Sequence, residues 1–218
     1  MTHQEDKWSG SFGKSYADRN PKSAWDMDKL YTATYGVTRS ALNWEVLIPN
    51  VGVPLRGENS TRILEVGCGL GCQLALLAEM GFDNLYGIDL QAHPGADVNQ
   101  RTTLNLMRAS ALDIPFKSGF FDLVFTSGLL IHISPKDLPR AMAEIHRCSR
   151  RWIWGMEYYA ETLTDIVYRG ERDLLWKGPY AQLYLEACPD LELVCEKKLC
   201  YKAAPEAQDR MFLLRKKS

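Results

Sequence analysis

No apolar run in the 218-residue chain approaches the roughly 20 residues needed to span a bilayer. No C-x-x-C pair occurs among the six cysteines, Cys68, Cys72, Cys148, Cys188, Cys195 and Cys200. The four histidines do not gather near them, so the sequence offers no metal site. Basic residues are not pooled either: beyond Arg215-Lys216-Lys217 no block stands out. A formal charge of −1 gives no electrostatic reason to expect a nucleic-acid partner. There is no internal repeat and no low-complexity tract. The opening MTHQEDKWSG is polar and acidic, unlike a secretory signal, so the expected compartment is cytoplasmic and the thiols are expected reduced. With 46% hydrophobic and 24% charged residues, the length suits one well-buried domain over residues 1–218.

What is present centres on Arg62 to Leu90, RILEVGCGLGCQLALLAEMGFDNLYGIDL. Ile63 to Val66 reads as a buried strand, Gly67, Gly69 and Gly71 as a tight turn, and about Leu70 to Met80 as an amphipathic helix. Asn84 to Ile88 reads as a second strand ending on Asp89. Glycines let the backbone approach a nucleotide-like ligand closely, and an acid at the second strand's tip can accept ribose hydroxyls. An adenosine-containing ligand is expected. The spacing is GxGxG rather than the dinucleotide GxGxxG, and Glu65 stands two residues before the first glycine. Its carboxylate would repel a pyrophosphate but suits a ligand bearing an ammonium and a sulfonium.

Ahead of this stretch, Lys7 to Asn20 mixes glycines with Trp8, Phe12 and Tyr16. Trp25 to Tyr35 and Thr38 to Ile48 have helical apolar spacing, and Pro49 to Asn59 reads as a turn-rich connector. After Asp89, Gln91-Ala92-His93-Pro94-Gly95 leaves at most a short helix around Ala96 to Arg101. Leu104 to Met107, Phe120 to Thr126 and Arg151 to Glu157 read as further strands. Leu191 to Tyr201 and Arg210 to Lys216 read as a closing antiparallel hairpin. Ser134 is expected to cap a helix running to about Arg147, with Pro135 at its first position. A helix from about Glu171 to Cys188 is expected to carry Trp176 and Tyr180.

The pattern E-V-G-C-G-x-G followed by Asp89 resembles motifs I and II of the class I methyltransferases, which bind S-adenosylmethionine. The resemblance implies an α/β, Rossmann-like class I methyltransferase fold. Such a fold has a seven-stranded, mostly parallel sheet with helices on both faces and one antiparallel strand. It implies S-adenosylmethionine as co-substrate, held by Glu65, Gly67, Cys68, Gly69, Gly71, Asp89 and Leu90. Ser110 to Phe116, SALDIPF, resembles the adenine-reaching segment often written D-A-x-x-L-P-F. Ser110 takes the acid's position, so its hydroxyl, or backbone near Ala111, is the expected contact. Ligands bind beyond the carboxyl ends of parallel strands, which puts Ser127, Gly128 and His132 beside the methionine part.

Longer blocks extend the likeness over nearly the whole chain: WSGSFGKSYADRNP, YGVTRSALN, VFTSGLLIHISPKDLP, GMEYY, YRG and LLWK. These are similar to the methylases associated with pseudaminic acid biosynthesis. The azetidine-2-carboxylate synthases look like methyltransferases of a similar kind. On this reading residues 1–60 form a helical cap, 61–157 the cofactor core, and 158–218 the substrate-side loop, helix and hairpin. A monomer or homodimer is expected, with no membrane or nucleic-acid partner.

Methyl transfer to a small molecule is the expected reaction, with His132 as candidate base; the alternative is a histidine packed under the cofactor and bonded to backbone. The competing chemistry is cyclisation, in which the α-amine of S-adenosylmethionine attacks its own γ-carbon and releases methylthioadenosine. Tyr16, Tyr158, Tyr159, Tyr168 and Trp176, with Trp8, are the stock for an aromatic box around the sulfonium. Cation–π attraction there is worth about 2 kcal/mol when desolvated. The same spacings also occur in plain cores. A third reading is a non-catalytic cofactor-binding subunit.

Overall fold

The computed structural model describes residues 2–52, 61–91 and 104–217. Four helices come first: α1 (His3–Ser9), α2 (Ser11–Ala17), α3 (Ala24–Tyr35) and α4 (Arg39–Val51). Then follow β1 (Arg62–Val66), α5 (Cys72–Glu79), β2 (Asn84–Asp89), β3 (Asn105–Arg108) and β4 (Phe121–Ser127). A 3-10 turn (Leu130–His132), α6 (Leu138–Cys148) and β5 (Ser149–Tyr158) lead to the two-residue strands β6 (Thr164–Asp165) and β7 (Trp176–Lys177). The chain closes with α7 (Tyr180–Ala187), β8 (Leu191–Cys200) and β9 (Gln208–Lys216).

The main sheet has seven strands in the order β3-β2-β1-β4-β5-β9-β8. β9 runs against both of its neighbours, and the remaining pairs are parallel. This is the expected class I methyltransferase fold. Ile63, Leu64, Val66, Leu123, Val124 and Phe125 are fully buried, as central parallel strands covered on both faces must be. One face packs on α6, where Leu138, Ala141, Met142, Ile145 and Cys148 form a helical stripe. The other face carries α4 and α5.

Four expectations need correction. α5 is not amphipathic: Cys72 through Ala78 are all buried, because α3 covers its outer side with Ala24 and Met27. Pro49 does not end its helix, which runs on to Val51 while the Asn50 side-chain amide donates to the Val46 carbonyl at 2.8 Å. The long helix expected from Glu171 is confined to Tyr180–Ala187, and Trp176 lies on β7, paired with Asp165 of β6. Ser134 does accept a backbone bond at a helix entrance, from Asp137 at 3.2 Å, but the helix proper starts at Leu138. The short helix expected around Ala96 to Arg101 lies outside the described residues.

Gly155 on β5 faces Phe212 on β9, and a Cβ at Gly155 would stand 2.1 Å from the ring. The two strands approach closely only because that side chain is missing. Gly155→Ala should lower the unfolding free energy by about 1–3 kcal/mol through overpacking. Urea denaturation measures it, and adding Phe212→Leu should recover part of the loss. An unchanged midpoint in Gly155→Ala would refute the tight approach.

Candidate functional site

The glycine turn closes on itself and on the next strand. Gly67 and Cys68 both donate backbone N–H to the Ile88 carbonyl, at 2.8 and 3.0 Å, and Gly71 donates to Cys68 at 2.8 Å. Gly67 has φ +79°, and a Cβ there would meet Leu129 at 2.7 Å, so no other residue fits this bend. Asp89 at the tip of β2 accepts from Gly69 N–H at 3.0 Å and Gln91 N–H at 2.7 Å. The acid and the turn therefore hold each other in place.

A cavity of about 440 Å³ opens over this edge of the sheet. Of the residues expected at the site, Glu65, Gly67, Cys68, Gly69, Asp89, Leu90, Ser110, Ala111, Ser127, Gly128, Tyr16, His132 and Tyr158 line it. Gly71, Tyr159, Tyr168 and Trp176 are not among its lining residues. Gly71 is the cap of α5 and lies under Leu104. Tyr159 follows Tyr158 on an extended stretch, so its ring points away and stacks under the Arg210 guanidinium at 4.4 Å. Trp176 is buried core, with Tyr180 donating to its carbonyl at 3.0 Å. Tyr168 stands behind the wall, its ring 5.6 Å from that of His132.

Two buried acceptors in the wall have no donor among the described residues. Glu65 is 2% exposed and Gln73 5% exposed, and neither Glu65 Oε2 nor Gln73 Oε1 has a hydrogen-bond partner among them. The Gln73 amide nitrogen reaches Ser127 Oγ at 3.4 Å. Burial pushes the Glu65 carboxyl well above its ordinary range; the Arg39 guanidinium pulls the other way, and Asp89 adds to the rise. Unanswered acceptors in a cavity wall cost free energy until a donor arrives, and a donor with positive charge suits this pair best.

The other wall is aromatic. The Trp8 ring lies 4.3 Å from that of His132 and 5.2 Å from that of Tyr16, centroid to centroid. Trp8 is held there because the Gln91 side chain donates to its carbonyl at 2.9 Å. His132 is locked by a 2.8 Å bond between Nδ1 and the Leu174 carbonyl. A carbonyl can only accept, so Nδ1 carries the proton and Nε2 keeps its lone pair. Burial holds the imidazole down at about 4 despite that bond, so the ring is neutral. The turn carrying His132 is tied in turn by Glu157, which accepts from Leu129 N–H at 3.3 Å and Ile131 N–H at 3.4 Å. The alternative description of His132, a ring bonded to backbone, matches this geometry, whereas the expected base was to titrate near neutrality and burial makes this imidazole a weaker base than that.

Glu5, Tyr35, Tyr201 and Asp209 also line the cavity and were not expected from the sequence. Ser110 does not face the cavity with a free hydroxyl: it donates to Glu5 of α1 and accepts from Leu112 N–H at 3.0 Å. Glu5 thus brings a carboxylate to the position where the SALDIPF segment lacks one. Burial works against its ionisation, but the bonds from Ser110 and Thr2 more than offset that and hold its carboxyl below the ordinary value. At the far end, Tyr35 and Tyr201 both donate to Asp209. No local pattern marks these groups, since Tyr35 and Asp209 lie 174 residues apart. Asp209 is at the ligand end because β9 is antiparallel, which puts its first residues beside the last residues of β5.

Residues 64–151 match the methyltransferase domain model. No curated protein matches the chain by sequence. Solved structures do match its fold. The 1,6-didemethyltoxoflavin-N1-methyltransferase of Burkholderia thailandensis, solved with S-adenosylhomocysteine, superposes at TM-score 0.73 with 18% identity over 100% of this chain and 92% of that one. The magnesium protoporphyrin IX methyltransferase of Synechocystis, solved with S-adenosylmethionine, superposes at 0.66 with 11% identity over 99% and 98%. The [4+2]-cyclase SpnF superposes at 0.61 with 18% identity over 82% and 80%.

The neutral state of His132 is directly measurable. Its side-chain nitrogens should show an Nδ1–H tautomer with no titration between about pH 5.5 and 8 by heteronuclear NMR, against an ordinary value of about 6.5. Titration near 6.5 would refute the buried, carbonyl-bonded ring.

Proposed function

We propose that the protein binds S-adenosylmethionine in this cavity and transfers its methyl group to a small molecule. The observation that carries the proposal is the pair of unanswered acceptors, Glu65 Oε2 and Gln73 Oε1, buried beside the glycine turn. They ask for a cationic donor, as the α-ammonium of a methionyl group is. Asp89 would receive the ribose hydroxyls, Gly67 and Gly69 would let the chain run close to the nucleoside, and Glu5 with Ser110 and Ala111 would face the adenine. Trp8 and Tyr16 would lie against the sulfonium, where their ring faces attract positive charge. His132 would present a neutral acceptor, Nε2, rather than a second cation. Bound there, S-adenosylmethionine supplies an electrophilic methyl group on a sulfonium leaving group. The protein's share is then positioning and exclusion of water. α1 would serve the second purpose, pinned over the cavity by Gln4, which accepts from Ser134 N–H at 2.6 Å, and by Lys7 to Glu171.

Methyl transfer needs room for an acceptor, and the cavity continues past these contacts to Tyr31, Tyr35, Tyr158, Tyr201 and Asp209. The likeness to pseudaminic acid-associated methylases supports a sugar acid or an amino-acid-derived metabolite as that acceptor. The six unpaired cysteines suit a cytoplasmic setting. One observation favours the second reading, cyclisation. A Glu65 carboxyl raised by burial is a good acceptor for the proton that the α-ammonium must lose before its nitrogen can attack.

Mass spectrometry of the protein with S-adenosylmethionine alone separates the two. Methyl transfer predicts unchanged S-adenosylmethionine until an acceptor is added, then S-adenosylhomocysteine. Methylthioadenosine with a product of azetidine-2-carboxylate mass, above spontaneous background, would replace methyl transfer by cyclisation. For the site itself, Asp89→Ala and Glu65→Gln should each weaken S-adenosylhomocysteine binding by about 1.5–3 kcal/mol, roughly ten- to hundredfold. Calorimetry reads this, and wild-type affinity in both variants would remove the cofactor from this cavity.

A further inference from the structure

Where α3 ends and the β8–β9 hairpin turns back, the cavity has a chamber that the proposed cofactor contacts leave free. Asp209 forms its floor, 1% exposed. Its carboxylate accepts from Tyr201 Oη at 2.9 and 3.0 Å and from Tyr35 Oη. Among the described residues, no lysine, arginine or histidine nitrogen lies within 4 Å of it. A buried carboxylate normally carries a cationic partner, and here two phenols stand in for one. The rings around it are aromatic: Tyr31 to Tyr35 and Tyr35 to Tyr201 are each 5.3 Å apart, centroid to centroid. Tyr158 stands opposite Asp209 in the β5–β9 register.

A buried carboxylate beside a group of tyrosine rings is a complement to a small organic cation. A phosphate or carboxylate in the same place would face Asp209 with like charge. A neutral hydroxyl would gain nothing from the ring faces. We propose that this chamber binds a small primary amine as its ammonium, and that this nitrogen is the one methylated. The proposal rests on the reading that the adjoining part of the cavity holds S-adenosylmethionine.

The ammonium first gives one proton to the Asp209 carboxylate. The freed nitrogen lone pair then forms the N–C bond to the methyl group as the C–S bond breaks, its electron pair remaining on sulfur. The product leaves as the methylated ammonium, and the Asp209 proton returns to solvent. Burial pushes the Asp209 carboxyl up to about 6, against the pull of its two tyrosine bonds and of Lys177, which makes it the better proton acceptor.

The test is calorimetry on protein saturated with S-adenosylhomocysteine, using benzylamine and its neutral analogue benzyl alcohol as probes. Benzylamine should bind at least tenfold tighter than the alcohol. Asp209→Asn should erase that preference, and Tyr201→Phe should reduce it, while both variants keep wild-type affinity for S-adenosylhomocysteine. That retained affinity shows that the variants are folded. Equal affinity for the two probes, no binding of either, or a preference that survives Asp209→Asn would each overturn the amine subsite. If wild-type protein fails to bind S-adenosylhomocysteine, the cofactor reading falls and takes the amine subsite with it.

Discussion

Carboxylates gathered along one edge of the sheet are the constraint on which the site depends. Glu65 lies near the end of β1, Asp89 ends β2, Glu157 lies near the end of β5 and Asp209 near the start of β9. Glu65, Glu157 and Asp209 are buried and Asp89 is half-buried, and a carboxylate removed from bulk water must be answered by donors or become protonated. Asp89 is answered by the backbone of the glycine turn and Glu157 by that of the turn carrying His132. Burial still lifts Glu157 to about 7, with the Thr126, Leu129, Leu130 and Ile131 bonds opposing it. Asp209 is answered by phenols, and Glu65 only in part. Such an edge is an electrostatic mould for a cation. It would suit a sulfonium bearing an ammonium better than a nucleotide pyrophosphate.

The part of this edge legible in the sequence is the part whose geometry is local. Ile63 to Val66, three glycines at fixed spacing, and an acid ending the next strand define the turn within thirty positions, and the backbone folds as that pattern dictates. The strand expected over Phe120 to Thr126 and the helix that follows Ser134 were readable for the same reason. Asp209 was not, because the strand-tip rule locates ligands at the carboxyl ends of parallel strands, and β9 runs the other way. Nor was Glu5, which reaches Ser110 across 105 positions. Trp176 was misplaced since ERDLLWKG has no local feature that separates a helix from a short strand. Tertiary pairing with Asp165 decides it. Aromatic residues on their own gave the weakest guide: Tyr158 and Tyr159 are adjacent, yet only the first lines the cavity.

His132 shows how distant segments converge on one atom. The 3-10 turn fixes its backbone, Glu157 on β5 ties that turn by two amides, and Leu174, just before β7, takes the Nδ1 proton. Trp8 from α1 and Tyr168 from the segment between β6 and β7 enclose the ring. The segment between β5 and α7 therefore does more than cover the sheet, since its Leu174 carbonyl sets the tautomer. Held this way, the imidazole resists protonation through the whole neutral range. In the proposed site this would matter beside a sulfonium: an imidazolium there would repel a cationic ligand, whereas a neutral ring adds an acceptor and no charge. Burial is thus what would reconcile a histidine with a cationic ligand in one wall. Burial likewise raises the Tyr16 phenol, so its hydroxyl stays uncharged in the same wall.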